Sequence, residues 1–455
     1  MKTPTLFLSL LLGLSAATAG EKSPPNIVLI LSDDQAWTDY GFMGHPDIET
    51  PRLDRLASES VTFPHGYVPT ALCRPALASI ATGLYAHQHG ITGNDPAKTP
   101  ANKTHAERSG KDPREILISN INQHPTLPRL LTANGYLAFQ SGKWWEGNYK
   151  RGGFTHGMTR GYPETGGRHG DDGLEIGREG MEPVFDFMDT ALEGKKPFFV
   201  WYAPFLPHTP HNPPERLLEK YRQDGRPLPV AKYYAMCEWF DETCGQLLDR
   251  IEQLGIADNT LVIYVTDNGW IQNPKANSYA PRSKRSPNEG GTRTPIMFRW
   301  KGKLTPAKRD DLCSSLDLMP TALAAAGINP PSNLPGINLL PHLMDGTAIP
   351  RDAIYGENFA HDIADVRKPE ASLLHRWVIR GRHKLILTYD GNPGKGQHST
   401  TGSATPSPQL YDLAADPHEK RNLAAEQPQT TGELTRLIQN WYPLQERKVN
   451  SLPSP

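Results

Sequence analysis

Four stretches of this chain are apolar almost without interruption: NIVLIL (26–31), FFVWYAPF (198–205), TLVIYV (260–265) and PIMFRW (295–300). Strands that bury both faces read this way, because neither set of alternating side chains meets water. Three of the runs pass directly into polar clusters, SDDQ, LPHTPH and TDNG, and the fourth follows EGGTR. Helical patterning is predicted over 51–59, 74–82, 127–133, 183–192, 230–254 and 315–326. Strands alternating with helices predict an α/β fold in which a large mixed, mainly parallel sheet is sandwiched by helices. In such sheets ligands sit beyond the carboxyl ends of the strands, where these polar clusters fall.

Beyond about residue 350 the texture changes. HRWVIRGRHKLILTYDG (375–391) predicts a β-hairpin or meander, the Ser/Thr/Gly/Pro-rich 398–408 a loop, and 430–442 a terminal amphipathic helix. The expected organisation is a catalytic domain over 20–350 and a smaller α+β domain over 351–455, with an antiparallel sheet and the terminal helix. Residues 1–19 carry one lysine, an apolar core over 6–14 and a small-residue ending at Ala19, the pattern of a secretory signal. That core is shorter than the ~20 residues a membrane span needs. The expectation is a secreted or periplasmic protein with no membrane anchor. Lysine plus arginine (48) nearly balances aspartate plus glutamate (49) with no long basic run, which argues against a nucleic-acid partner.

Asp33 and Asp34 follow one predicted buried strand, and Asp267 and Asn268 follow another. Four short oxygen-bearing side chains at strand ends suit a hard divalent cation, Ca²⁺ more readily than zinc. The sequence offers this quartet no evident basic partner. Lys143 follows the apparent strand YLAFQS, His208 lies in LPHTPH and Lys284 in SKRSPNEGG. A metal and several cations at strand ends form a pocket for a tetrahedral oxyanion. Cys73, in TALCRPALASIATG, opens a predicted helix, whose positive end favours an anionic nucleophile. Cys237 and Cys244 are seven apart on one predicted helix, ~10 Å by helical rise, too far for a disulfide.

The order LSDD, C-x-P, ATG-LY-x-H, GKW, PHxP, TDNG and K-x-x-x-x-EGG-x-R-x-P, with the tail LYDLAADPHEKRNL, resembles the type I sulfatases of the alkaline-phosphatase superfamily, from about Pro25 to Ala425. The resemblance implies that a formylglycine-generating maturation enzyme oxidises Cys73 to formylglycine (3-oxoalanine). One hydroxyl of the aldehyde hydrate then attacks sulfur and expels the alcohol, and the other eliminates sulfate. It further implies Ca²⁺ held by Asp33, Asp34, Asp267, Asn268 and residue 73, a sulfate clamp from Lys143 and Lys284, and contact of His208 with the sulfate and the leaving oxygen. The implied substrate is a sulfated carbohydrate or related organosulfate.

Two positions depart from the family pattern. Leu77 stands where the family has arginine, and Trp145 where it has histidine. Arg74 is expected to compensate as a catalytic-shell cation, being three residues from Leu77 on one helix face. Trp145 is open to two readings, a flat wall for a sugar ring or packing. His87, His89 and His211 receive no role. Two alternatives share the motifs: a phosphodiester or phosphonate hydrolase, and a non-catalytic binder of sulfated glycans. Specificity is expected in the loops 94–121 and 149–179.

Overall fold

In the computed structural model, residues 23–389 and 408–444 are described; the predicted signal segment and most of the predicted loop at 398–408 lie outside them. The large sheet is built on β1 (Asn26–Ser32), β2 (Val61–Tyr67), β3 (Leu137–Gly142), β4 (Phe198–Ala203), β5 (Thr260–Thr266) and β6 (Arg293–Arg299). They lie in the order β2-β6-β5-β1-β4-β3, with short edge strands beyond. β1 runs parallel to β4 and β5, and β3 parallel to β4, whereas β6 is antiparallel to both β5 and β2.

Each central strand feeds two cores, which is why its sequence is continuously apolar. Ile27, Leu29, Trp201 and Ile263 point to one face, covered by α1 (Cys73–Thr82) and Leu318–Ala325. Val28, Ile30, Tyr202 and Tyr264 point to the other, covered by α2 (Leu228–Gln253) and Glu182–Glu193. Full burial of one such aliphatic side chain stabilises the fold by about 1.5–3 kcal/mol. The four cysteines are buried and unpaired, so Cys237 and Cys244 act as small apolar residues of α2, as expected.

Two parts of the large layer escape the pattern. β2, VTFPHGY, is broken by a proline and by a register shift between Phe63 and Gly66. A Cβ at Gly66 would lie 2.5 Å from the Thr294 carbonyl oxygen, so glycine permits that close pairing. More than half of the predicted loop 94–121 is helical, as Pro100–Ser109 and Pro113–Ile118. Thr99 and Asp112 cap these two helices, both of which start on proline.

The predicted C-terminal hairpin belongs to a four-stranded antiparallel sheet in the order β7 (Ala353–Phe359), β8 (Leu373–Arg380), β9 (His383–Thr388) and β10 (Gln409–Asp412). Leu434 and Ile438 of the terminal helix Pro428–Trp441 pack on Val378, Leu385 and Leu387. Among the described residues, no helix is long and apolar enough to cross a membrane.

Candidate active site

Ser32 and Thr266 are register partners, so Asp33–Asp34 and Asp267–Asn268 leave adjacent strand ends side by side. Asp34 holds a left-handed φ of 66°, a conformation aspartate tolerates better than most residues, and this turn aims its carboxylate into the site. Lys143 follows Gly142, whose Cβ would sit 1.8 Å from the Ala203 carbonyl oxygen. Only glycine lets β3 turn there. Cys73 enters from the first turn of α1, and His208 from the segment that leaves β4.

Ligand atoms of Asp33, Asp34, Cys73 and His208 converge within 4.8 Å of one another. Contrary to the sequence expectation, the carboxylates do have basic partners. Lys143 Nζ donates to both oxygens of Asp33 at 2.8 and 2.7 Å. Lys284 Nζ lies 2.7 Å from each oxygen of Asp34. Asp267 joins through Oδ1, which accepts from the Asp34 backbone N–H at 3.1 Å, and Asn268 Nδ2 donates to Asp34 at 2.6 Å. Asp267 Oδ2 and Asn268 Oδ1 are buried without any hydrogen-bond partner. Buried oxygens are rarely left so. Four oxygen donors, two of them orphaned, fit a hard divalent cation.

Electrostatics correct one expectation. The Cys73 thiol is pushed up to about 12 by burial, which outweighs the lowering by Lys143 and Lys284. A helix N-terminus does not make this thiol a thiolate, so the unmodified cysteine is a poor nucleophile. Burial would lower Lys284 too, but Asp34 raises it well above the usual lysine range, which keeps it charged. His208 is lowered well below the ordinary histidine value, by burial first and then by the two lysines. Its Nδ1 faces the Thr209 carbonyl oxygen at 2.6 Å and must donate to it. Nε2, 3.2 Å from Asp34 Oδ2 and 3.4 Å from Lys284 Nζ, is left as an acceptor.

A cavity of about 370 Å³ opens on this cluster, lined by Cys73, His208 and Lys284 together with Trp145, Arg168 and Trp270. Arg74 does not line it. Its Nε and Nη2 each donate to Glu146 at 2.8 Å, Nη1 donates to the Asn94 carbonyl, and the side chain is fully buried. The expectation of a catalytic-shell cation is therefore corrected: Arg74 ties the start of α1 to the Lys143 loop. Leu77 and Trp145, the two departures, belong to one apolar cluster with Trp144, and Trp145 also lines the cavity. One face of Trp145 carries the Arg168 guanidinium, 4.7 Å from the ring centroid, which leaves that face unavailable as a bare sugar platform.

Glu146→Ala would strand Arg74 as a buried charge, and we expect a loss of about 3–5 kcal/mol of stability. Arg74→Met combined with Glu146→Met should recover most of the thermal midpoint. Arg74→Met that lowers kcat while the midpoint stays at the wild-type value would return Arg74 to the catalytic shell.

The uncommitted histidines separate. His87 contacts Glu357 of β7 at 2.8 Å and stacks on Tyr442 at 4.0 Å, tying the short helix Ala86–His89 to the C-terminal layer. His89, lowered to about 3 chiefly by burial, shares a 3.1 Å hydrogen bond with Ser79. His211 is buried against Trp270, and neither ring nitrogen has a partner. Sequence reading missed Arg168, Glu146 and Glu419. Glu419, in DPHEKRN, accepts from Asn288 Nδ2 and from the Glu289 backbone N–H at 2.8 Å each. It thereby holds the segment that carries Lys284. The motif was visible; the contact, 130 residues away in sequence, was not.

Comparison with known proteins agrees with this geometry. The sulfatase family model matches residues 25–328, and the model for the C-terminal region of N-sulphoglucosamine sulphohydrolase matches 282–442. The N-acetylgalactosamine-6-sulfatase of Canis lupus familiaris is 32% identical, over 90% of this chain and 84% of its own. Human arylsulfatase A is 29% identical, over 91% and 86%. A solved sulfatase from Pseudoalteromonas sp., 19% identical, superposes with a TM-score of 0.70 over 93% of this chain and 92% of its own, a likeness of fold. The chain belongs to the sulfatase family, with the alkaline-phosphatase-like fold. It is a sulfuric-ester hydrolase.

Proposed function

We propose that the protein removes sulfate from a sulfated sugar, using formylglycine made from Cys73 and Ca²⁺ held by Asp33, Asp34, Asp267 and Asn268 with residue 73. The observation that carries this reading is the convergence of the residue 73 side chain with the Asp33 and Asp34 carboxylates and their two lysine partners, in a cluster whose Cys73, His208 and Lys284 line the cavity. Bound Ca²⁺ would supply positive charge to the sulfate oxygens, and converted residue 73 would supply the nucleophile. Lys143 and Lys284 stay charged while buried and would hold the sulfate oxygens. His208, neutral with Nε2 unprotonated, would orient that clamp in the resting site rather than serve as a ready acid.

Charge favours a sulfate monoester over a phosphate monoester. Asp33, Asp34 and Asp267 against Lys143 and Lys284 leave one negative charge; a dication turns this into one positive charge, which a singly charged sulfate ester neutralises. A doubly charged phosphate monoester would overshoot, whereas a phosphodiester or a singly ionised phosphonate ester would not, so charge leaves that rival standing. The sugar follows from the relatives' printed substrates, N-acetylgalactosamine 6-sulfate among them.

We further assign residues 1–19 to export, hence a secreted or periplasmic site of action. We assign 20–350 to catalysis and 351–455 to a domain whose Glu419 positions the Lys284 segment. The test is protein made together with a maturation enzyme, assayed on N-acetylgalactosamine 6-sulfate, 4-nitrophenyl sulfate and bis(4-nitrophenyl) phosphate. Sulfate esters should be preferred, and Lys143→Ala and Lys284→Ala should each cut kcat/KM about 10²-fold or more. Preference for the phosphodiester, or glycan binding without turnover, would overturn the proposal.

A further inference from the structure

A second and larger cavity, about 790 Å³, lies across the short strand Asp95–Pro96 from the first. Asn94 lines the Cys73 cavity and Pro96 lines the second. Two residues of extended chain span at most about 7 Å, so the two spaces are neighbours. The Asp95 carboxylate binds an arginine from each side: Arg168, which lines the Cys73 cavity, and Arg114, which lines the second. Those ion pairs hold Asp95 down to about 2, against the burial that would raise it. The partition is therefore built, and it carries cations on both faces.

The lining of the second cavity is cationic over an apolar floor. Lys98, Lys103 and Arg114 reach it, along with one acid, Asp112. Asp112 is engaged, because its carboxylate caps Pro113–Ile118 by accepting from the Arg114 backbone N–H at 2.8 Å. The nearest carboxylate to Lys103 is that of Glu107, at 3.8 Å and largely exposed, a weak pairing. Among the described residues no carboxylate pairs with Lys98. Pro96, Pro100 and the half-buried Tyr162 ring, one face of which lies under the Arg114 guanidinium at 5.9 Å, give a rigid surface against which the C–H face of a sugar packs. The volume lies in the range of ligand sites.

We infer that this second cavity is a subsite for a neighbouring anionic sugar of the same glycan. The substrate is then an oligosaccharide or polysaccharide that carries a further sulfate or carboxylate close to the ester being cleaved. Lys98 and Lys103 receive that anion, Arg114 stays with Asp95 as part of the partition, and Tyr162 packs against the sugar ring. The inference rests on the sulfated-sugar reading above and extends it from one sugar to a chain.

Matched pairs of sulfated monosaccharide and tetrasaccharide from chondroitin, heparin and carrageenan test it. For the pair that is turned over, wild-type kcat/KM should be about tenfold higher or more on the tetrasaccharide, the scale of one or two added ionic and packing contacts. Lys98→Glu and Tyr162→Ala should each reduce most of that ratio, through KM rather than kcat. A tetrasaccharide whose neighbouring sugar lacks its anion should lose the Lys98-dependent part and keep the Tyr162-dependent part. Calorimetric titration into Cys73→Ala, where the ligand stays intact, should give the same ordering in Kd. Equal kcat/KM on both members of the pair, or variants that leave the ratio unchanged, overturn this inference alone. Turnover of none of the pairs overturns the reading beneath it as well.

Discussion

Asp267→Asn should weaken Ca²⁺ binding sharply and abolish turnover, yet leave the metal-free protein as stable as wild type or more so. Burial, and then the charge of Asp34, raises the Asp267 carboxyl above its usual range, and its Oδ2 has no hydrogen-bond partner. In the absence of a cation that negative charge is a cost. With one, it becomes a ligand. Asp34→Ala should also abolish activity, but it strands buried Lys284 and so lowers stability by about 3–5 kcal/mol whether or not metal is present. The pair of variants separates metal binding from ion pairing. A ligand that binds only the folded state stabilises it by about 2.7 kcal/mol at a hundredfold excess over Kd. Ca²⁺ should therefore raise the thermal midpoint of wild type, a chelator should lower it, and neither should much affect Asp267→Asn. An Asp267→Asn midpoint that responds to Ca²⁺ as wild type does would remove Asp267 from the ligand set.

The other large effect belongs to residue 73. Cys73→Ala should lose at least about 10⁴-fold in kcat, as removal of a nucleophile does elsewhere. Cys73 is 1% exposed, so a maturation enzyme cannot grip its surroundings in the folded chain. Conversion is expected before folding. Mass spectrometry of the residue 73 peptide should show the aldehyde in protein co-produced with the maturation enzyme, and the thiol in folded protein treated with it afterwards. Sulfate-ester turnover by a preparation in which residue 73 is wholly thiol would defeat the formylglycine mechanism, because a thiol held near 12 supplies almost no thiolate at neutral pH.

The central sheet and the meeting of Asp33–Asp34 with Asp267–Asn268 at adjacent strand ends were legible because each depends on short stretches of chain. NIVLIL and TLVIYV are apolar at every position after the first, and both faces of β1 and β5 are indeed buried. The acids that follow them stand together because parallel neighbours in register end at one level. β2 was not legible. Pro64 and Gly66 break its alternation, and it survives as a strand because β6 pairs with it on either side of the irregularity and the short strands Ala307–Lys308 and Cys313–Ser314 pair with it as well. Tertiary pairing outweighed local propensity there.

The same division runs through the site. Residue type and order along the chain picked out the side chains that the fold brings together: Cys73, Lys143, His208, Lys284 and the four oxygen-bearing residues proposed as ligands each sit in a short motif beside a strand end or helix start. Only the tertiary structure decided their partners and their charge. Arg74 is three residues from Leu77, and helical spacing pointed it at the vacated position, but Glu146, 72 residues on, takes its guanidinium. The Cys73 thiol lies at a helix N-terminus, which favours the anion, yet burial raises it instead. Lys143 and Lys284 are ordinary surface residue types in a sequence and become fixed charges only where folding seals them against Asp33 and Asp34. Ion pairing and desolvation depend on distances between residues far apart in the chain and on the exclusion of water, and neither quantity exists until the chain has folded.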